Sequence, residues 1–200
     1  MLDLNWIDIT LIATYFPAMI LIFNLAYTQR SLSNLFFGFT ILSLFFGVIL
    51  SYFDFFETIP IREWGSLVAI NFVLTALFNL IRDSKPKFAR FPILMTLFPL
   101  IGLFFYPLVI NNNVVKDLLH ITYQGGALFV GLIIVSLNHI LHKHRILLIS
   151  SCLFFLMAYL VNWIPKFLFI DDYAKTFSSI SLSIGIFIGA IGLKKLSVLK

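Results

Sequence analysis

The sequence predicts an all-α, polytopic membrane protein: a bundle of seven transmembrane helices with the N-terminus outside and the C-terminus in the cytoplasm. Three observations predict it. First, 60% of the 200 residues are hydrophobic and only 12% are charged, with 24 phenylalanines, which leaves too little polar surface to cover a water-facing globule. Second, the apolar runs are continuous and close to the ~20 residues that a helix needs to cross ~30 Å of hydrocarbon. They do not alternate with period two, as the strands of a membrane barrel would. Third, the charges sort by side. Eight of the nine acids (Asp3, Asp8, Asp54, Glu57, Glu63, Asp117, Asp171 and Asp172) fall on one side of the alternating runs, and ten of the fourteen Lys/Arg fall on the other. Short cytoplasmic loops retain Lys and Arg, so the basic side is the cytoplasm. Asp83 alone breaks the acid pattern.

Taken in order, the spans are expected at Ile7 to Tyr27, Asn34 to Phe53, Trp64 to Ile81, Phe91 to Ile110, Leu118 to Asn138, Ile146 to Ile170 and Thr176 to Leu193. Pro60 and Asn111-Asn112-Asn113 punctuate outer turns, and Pro86 punctuates a cytoplasmic one. Pro17 and Pro99 fall near the middles of spans one and four, where a missing N–H kinks a helix and frees a carbonyl. Lys166 is the one residue that could end span six early. The loops are short, so residues 1–200 form a single domain. Spans one to three and five to seven share an orientation, which admits a three-one-three duplication of 1–82 and 117–200, of the parallel kind found in some small transporters. Side-chain agreement between the two halves is scattered.

Composition also excludes function classes. The chain is basic, with a sequence pI near 9.4, but the charge is spread over cytoplasmic turns and a tail, which reads as topology and attraction to anionic lipid, with no nucleic-acid partner. The single cysteine, Cys152, lies within span six and permits no disulfide inside the chain. The first 27 residues lack a basic leader and a small-x-small cleavage site, so no removable signal is expected. The sequence has no phosphate-binding glycine loop, no nucleophile elbow, no paired intramembrane acids and no mid-membrane lysine. His139, His142 and His144 sit close together but share no helical face and have no acidic or thiol ligand nearby, so no metal is assigned. All four histidines lie at the two ends of one span, which argues against bis-histidine haem. No cofactor is expected.

The polar residues within the spans carry the functional expectation, because such groups normally turn away from lipid. Asn71, Thr75 and Asn79, four apart, make a stripe on span three, and His120 and Gln124 make an i,i+4 pair on span five. Counting ~1.5 Å per residue inward from the outer ends, Asn71, Gln124, Asn162, Ser181 and the Thr14-Tyr15 pair reach a similar depth, with Ser51 and Tyr52 shallower. These residues are expected to surround one outward-facing pocket comprising Tyr15, Ser51, Tyr52, Asp54, Asn71, Thr75, His120, Gln124, Asn162 and Ser181, with Asp54 and His120 at its mouth and Phe72 and Trp163 as walls. Ser181, Gly185 and Gly189, also four apart, form a small-residue stripe suited to close helix packing. The expectation is a non-enzymatic protein of a bacterial-type inner (plasma) membrane, either a sensor or receptor-like module or an accessory subunit. Its partners are the lipid bilayer and a protein in the membrane or at the cytoplasmic face. The alternative is a small-solute transporter using the same cavity.

Overall fold

A computed structural model of the chain describes residues 5–52, 61–84, 90, 92–109, 113–137, 145–168 and 172–197. All regular structure among them is helical: α1 (Trp6–Gln29), α2 (Leu32–Leu50), α3 (Ile61–Ser84), α4 (Ile93–Thr96), a 3₁₀ turn (Phe98–Ile101), α5 (Gly102–Val109), α6 (Asn113–Leu137), α7 (Arg145–Leu168) and α8 (Asp172–Ser197). Six of these (α1, α2, α3, α6, α7 and α8) are long and apolar enough to cross a bilayer, as in an integral membrane protein. They match six of the seven expected spans. α7 continues past Lys166 to Leu168.

The fourth expected span is broken. Proline is the physical reason: Pro92 caps α4, and Pro99 has no N–H to donate into a continuous helix. Around it the backbone bonds run to the third residue back, from Leu97 N to Leu94 O at 3.1 Å and from Leu100 N to Leu97 O at 2.9 Å, and the segment passes through a 3₁₀ turn before α5 begins at Gly102.

The six long helices close into a ring in the order α1, α2, α3, α6, α7, α8 and back to α1. Short connections enforce parts of it. α1 ends at Arg30, whose φ of 49° places it in the left-handed region, and Ser31 N reaches back to Ala26 O at 3.2 Å, a helix-ending arrangement that satisfies an otherwise orphaned carbonyl. Ser31 then caps α2 by accepting from Asn34 N, and Asn34 Nδ2 donates to Gln29 Oε1 at 3.0 Å, so the chain reverses within two residues.

Glycines set the tightest packing. A Cβ at Gly65 would lie 2.8 Å from Gly47 Cα and 2.9 Å from Ser43 O, so α2 and α3 meet backbone to backbone. α8 meets α7 similarly: a Cβ at Gly185 would lie 2.8 Å from the Phe155 ring, and one at Gly189 would lie 2.7 Å from Ser151 Oγ. Gly185 and Gly189 of the small-residue stripe thus lie against α7 side chains. One apolar core joins Leu11, Tyr15, Ala18 and Ile22 of α1, spaced along one helical face, to Ile41 and Val48 of α2 and Ile186 and Ala190 of α8.

The broken segment lies outside the ring and ascends along α3. Thr96 Oγ1 donates to Asn79 Oδ1 at 3.2 Å, Gly102 faces Asn71, and the Tyr106 ring sits 6.0 Å from that of Trp64. Leu94, Phe98 and Phe104 on its far side are exposed, as suits a lipid-facing surface.

Candidate functional site

At one end of the ring the first turns of α1, α3 and α6 carry charge. Asp8 is 7% exposed, accepts a hydrogen bond from Tyr52 Oη at 2.5 Å and faces Arg62 Nη2 at 2.9 Å, a contact off hydrogen-bond alignment. Lys116 Nζ lies 2.5 Å from Glu63 Oε2. Arg62 and Lys116 are two of the four Lys/Arg that the sequence places on the acidic side, and each is held there by an acid. The counterpart at the other end is Asp83, the acid that breaks the pattern, with Arg82 Nη1 at 3.4 Å.

One turn deeper, Ser66 Oγ lies 3.2 Å from His120 Nε2, and the His120 ring meets Trp163 edge-on at 5.8 Å. Below that, Trp163 Nε1 donates to Gln124 Oε1 at 2.7 Å. Lys116, His120 and Gln124 are successive i,i+4 positions, so α6 presents an ammonium, an imidazole and an amide in line from the charged end inward.

Gln124 marks where the ring opens into a central cavity of about 360 Å³. Ser66, Gln124, Tyr159, Asn162 and Ser178 contribute polar atoms at the charged end. Toward the Arg82 end the wall is Ile22, Leu77, Leu80, Ile134, Leu148 and Leu193. The hydroxyls of Thr40 and Ser151, between these levels, are bonded to Phe36 O and Gly185 O. Ser178 and Tyr159 also bond to main-chain carbonyls. Asn162 makes no hydrogen bond among the described residues, and Gln124 uses only its oxygen. Two amide groups are thus available at the top of an apolar tube. A cavity of that size is far larger than the voids a packed interior ordinarily leaves.

The ten residues expected at one pocket are distributed over several sites. Gln124 and Asn162 line the cavity, and His120 stands directly above it. Tyr52 belongs to the Asp8 cluster, and Tyr15 is buried in the α1-α2-α8 core two turns below Asp8. Ser51 is exposed and bonds to Val48 O. Ser181 is buried but does not line the cavity. Asn71 and Thr75 face the broken segment, fully buried, with Asn71 Nδ2 bonded to Leu67 O and Thr75 Oγ1 to Asn71 O. Asn71 Oδ1 is buried without a hydrogen-bond partner, and the Tyr106 hydroxyl lies beside the Asn71 amide without a well-aligned bond to it. Asp54, and the cluster of His139, His142 and His144, lie outside the described residues. Of the two expected walls, Trp163 flanks the polar end, whereas Phe72 packs on Phe39 at 5.5 Å between α3 and α2.

Depth counting missed Ser66, Tyr159 and Ser178. Each falls at a suitable level, but only the facing of its helix brings it inward. Among the described residues no three His, Cys, Asp or Glu side chains converge as metal ligands do. No family model, curated protein or solved structure matches the chain.

Proposed function

We propose that this protein is a non-enzymatic receptor-like module or accessory subunit that holds a small ligand in the ring cavity and transmits its presence, through helix movement, to a protein partner in the membrane or at the cytoplasmic face. The broken segment is read as a seventh crossing. α3 ends at the Arg82 end while α6 begins beside Glu63, so the chain between them must return across the bilayer. The Lys/Arg distribution then sets the N-terminus outside and the C-terminus in the cytoplasm of a bacterial-type inner (plasma) membrane.

One observation carries the reading: the cavity's available polar groups, Gln124 and Asn162, gather toward its charged end, and the wall toward the Arg82 end is mostly hydrocarbon. Such a tube suits a ligand that enters and leaves by one end. A carrier for a polar solute needs available polar groups on both sides of its site, and here the lining hydroxyls nearer the Arg82 end, Thr40 and Ser151, are already bonded to main-chain carbonyls.

A transporter is the second reading. It is favoured by the ring order, in which a half-turn places α1, α2 and α3 on α6, α7 and α8, the arrangement a parallel duplication would give. Proteoliposomes and pull-downs separate the two. Stoichiometric co-purification of a fixed partner without solute flux supports the receptor or subunit. Saturable uptake that Gln124→Leu or Asn162→Leu abolishes, and Asn71→Leu does not, supports the carrier and sinks the first reading. Labelling of cysteines introduced near Ser51 and Lys195 from opposite faces tests the orientation.

A further inference from the structure

We infer that the cavity's ligand is a single-chain amphiphile, seated with its hydrogen-bond-accepting head at Gln124 and Asn162 and its hydrocarbon chain pointing toward the cytoplasmic end. This rests on the reading of the cavity as a ligand site and adds the chemistry of what fills it.

Length comes first. The lining runs from Asn162 to Leu148 on α7 and from Ser178 to Leu193 on α8, which at ~1.5 Å per residue is roughly 21 to 22 Å. One leaflet of a bilayer supplies ~15 Å of hydrocarbon, so the tube can take a membrane-length chain in full. Capacity comes second. On the scale on which a ~150 Å³ apolar cavity holds one benzene, 360 Å³ holds on the order of fourteen carbons, enough for one hydrocarbon chain and too few for the two chains of an ordinary phospholipid.

Chemistry comes third. Below Gln124, α6 turns Ala127, Leu128, Gly131 and Ile134 to the cavity, surfaces that gain dispersion contacts from methylene groups and offer nothing to a polar solute. At the top, the Gln124 oxygen is occupied by Trp163, so that amide can only donate, through its nitrogen. Asn162 adds a second amide with no protein partner among the described residues. Donors in that position suit a carboxylate or an ester carbonyl. A free fatty acid and a monoacyl phospholipid share this chemistry.

Cys152 makes the idea testable, because the chain's only cysteine lines the same cavity ten residues below Asn162, or ~15 Å. The full chain would be placed in nanodiscs of two-chain phospholipid and the rate of Cys152 alkylation by a membrane-permeant maleimide followed with palmitate, palmitoyl lysophosphatidylcholine or octanoate added. Palmitate, the lysolipid or both are expected to slow alkylation at least tenfold, and which of them does so identifies the source. Octanoate, whose chain stops above Cys152, should not. Gly131→Leu is the control: Gly131 lines the cavity and a Cβ there meets no atom within 4 Å, so a larger side chain has room to enter the tube. It should remove the added protection, together with any one-to-one single-chain lipid seen by native mass spectrometry of the wild type.

Equal protection by octanoate, or a stoichiometric two-chain lipid in the cavity, overturns the inference. Alkylation that Gly131→Leu slows but no amphiphile affects also overturns it while leaving an accessible cavity for another ligand. Absence of alkylation in every condition, with a bare chain by mass spectrometry, overturns this inference and the ligand-binding function together.

Discussion

Trp163 Nε1 donates to Gln124 Oε1 across 2.7 Å, tying α7 to α6 at the polar end of the cavity. The bond fixes the glutamine so that its nitrogen is the group left for a ligand. It also closes one of the ring's seams. Trp163→Phe keeps the aromatic bulk and removes the donor. Side-chain hydrogen bonds between membrane helices contribute ~0.6 to 2 kcal/mol, so a loss of about 1 kcal/mol is expected, read by reversible unfolding in mixed micelles. Ligand affinity should fall alongside it, because the Gln124 amide becomes free to rotate. An unchanged affinity would show that Gln124 needs no such support.

Two glycines should respond in opposite directions. Gly65→Val drives a branched side chain into the Gly47 and Ser43 backbone of α2, which cannot yield as a side chain can, and overpacking of this kind costs roughly 1 to 3 kcal/mol. At Gly131 a Cβ meets no atom within 4 Å, and in delipidated protein a leucine there fills part of an apolar void, a change that commonly stabilises by ~0.5 to 2 kcal/mol. Thermal unfolding of both variants beside the wild type checks the pair. A destabilised Gly131→Leu would show that the cavity is filled in the resting protein.

The asparagines of α3 differ despite equal burial. Asn79 donates to Thr75 O at 2.9 Å and accepts from Thr96 of the broken segment; Asn79→Leu leaves Thr96 its 2.6 Å bond to Ile93 O but removes a side-chain bond that ties that segment to α3, and should cost about 1 to 1.5 kcal/mol. Asn71 has a buried oxygen with no partner, and replacing it with leucine removes that penalty along with one local bond to Leu67 O. Asn71→Leu is expected to change stability by less than about 1 kcal/mol. Hydrogen exchange of residues 93–107 should rise in the first variant and hold steady in the second.

Alkaline pH should loosen the Asp8 cluster. Tyr52 is pushed above its ordinary value of 10.0 by loss of solvent and by its hydrogen bond and charge contact with Asp8, partly offset by a backbone hydrogen bond with Asn5 and by Arg62. The folded protein thus holds this proton more tightly than the unfolded chain does. The resulting stability is complete below the unfolded value and is lost as pH rises through the folded one. Melting temperature measured from about pH 9 to about pH 11 should decline less steeply in Tyr52→Phe than in the wild type. Identical slopes would mean that Asp8 and Tyr52 are not coupled in solution.

The sequence by itself determined the helical class, the lipid environment and the position of six long helices, because continuous apolar runs near 20 residues have few other solutions. Three of the residues that depart from the charge sorting, Arg62, Lys116 and Asp83, are paired with a neighbour of opposite charge. What one dimension could not supply was azimuth. Depth along a helix follows from counting, but the direction a side chain faces is set by which neighbours its helix meets. That is why Asn71 and Gln124, expected at one level of one pocket, are separated: α3 turns Asn71 outward onto the broken segment, while α6 turns Gln124 into the ring. Only the tertiary structure decided this. Glycine contacts such as Gly47 with Gly65 fixed the pairing of helices, and close backbone approach leaves each helix a single way to face.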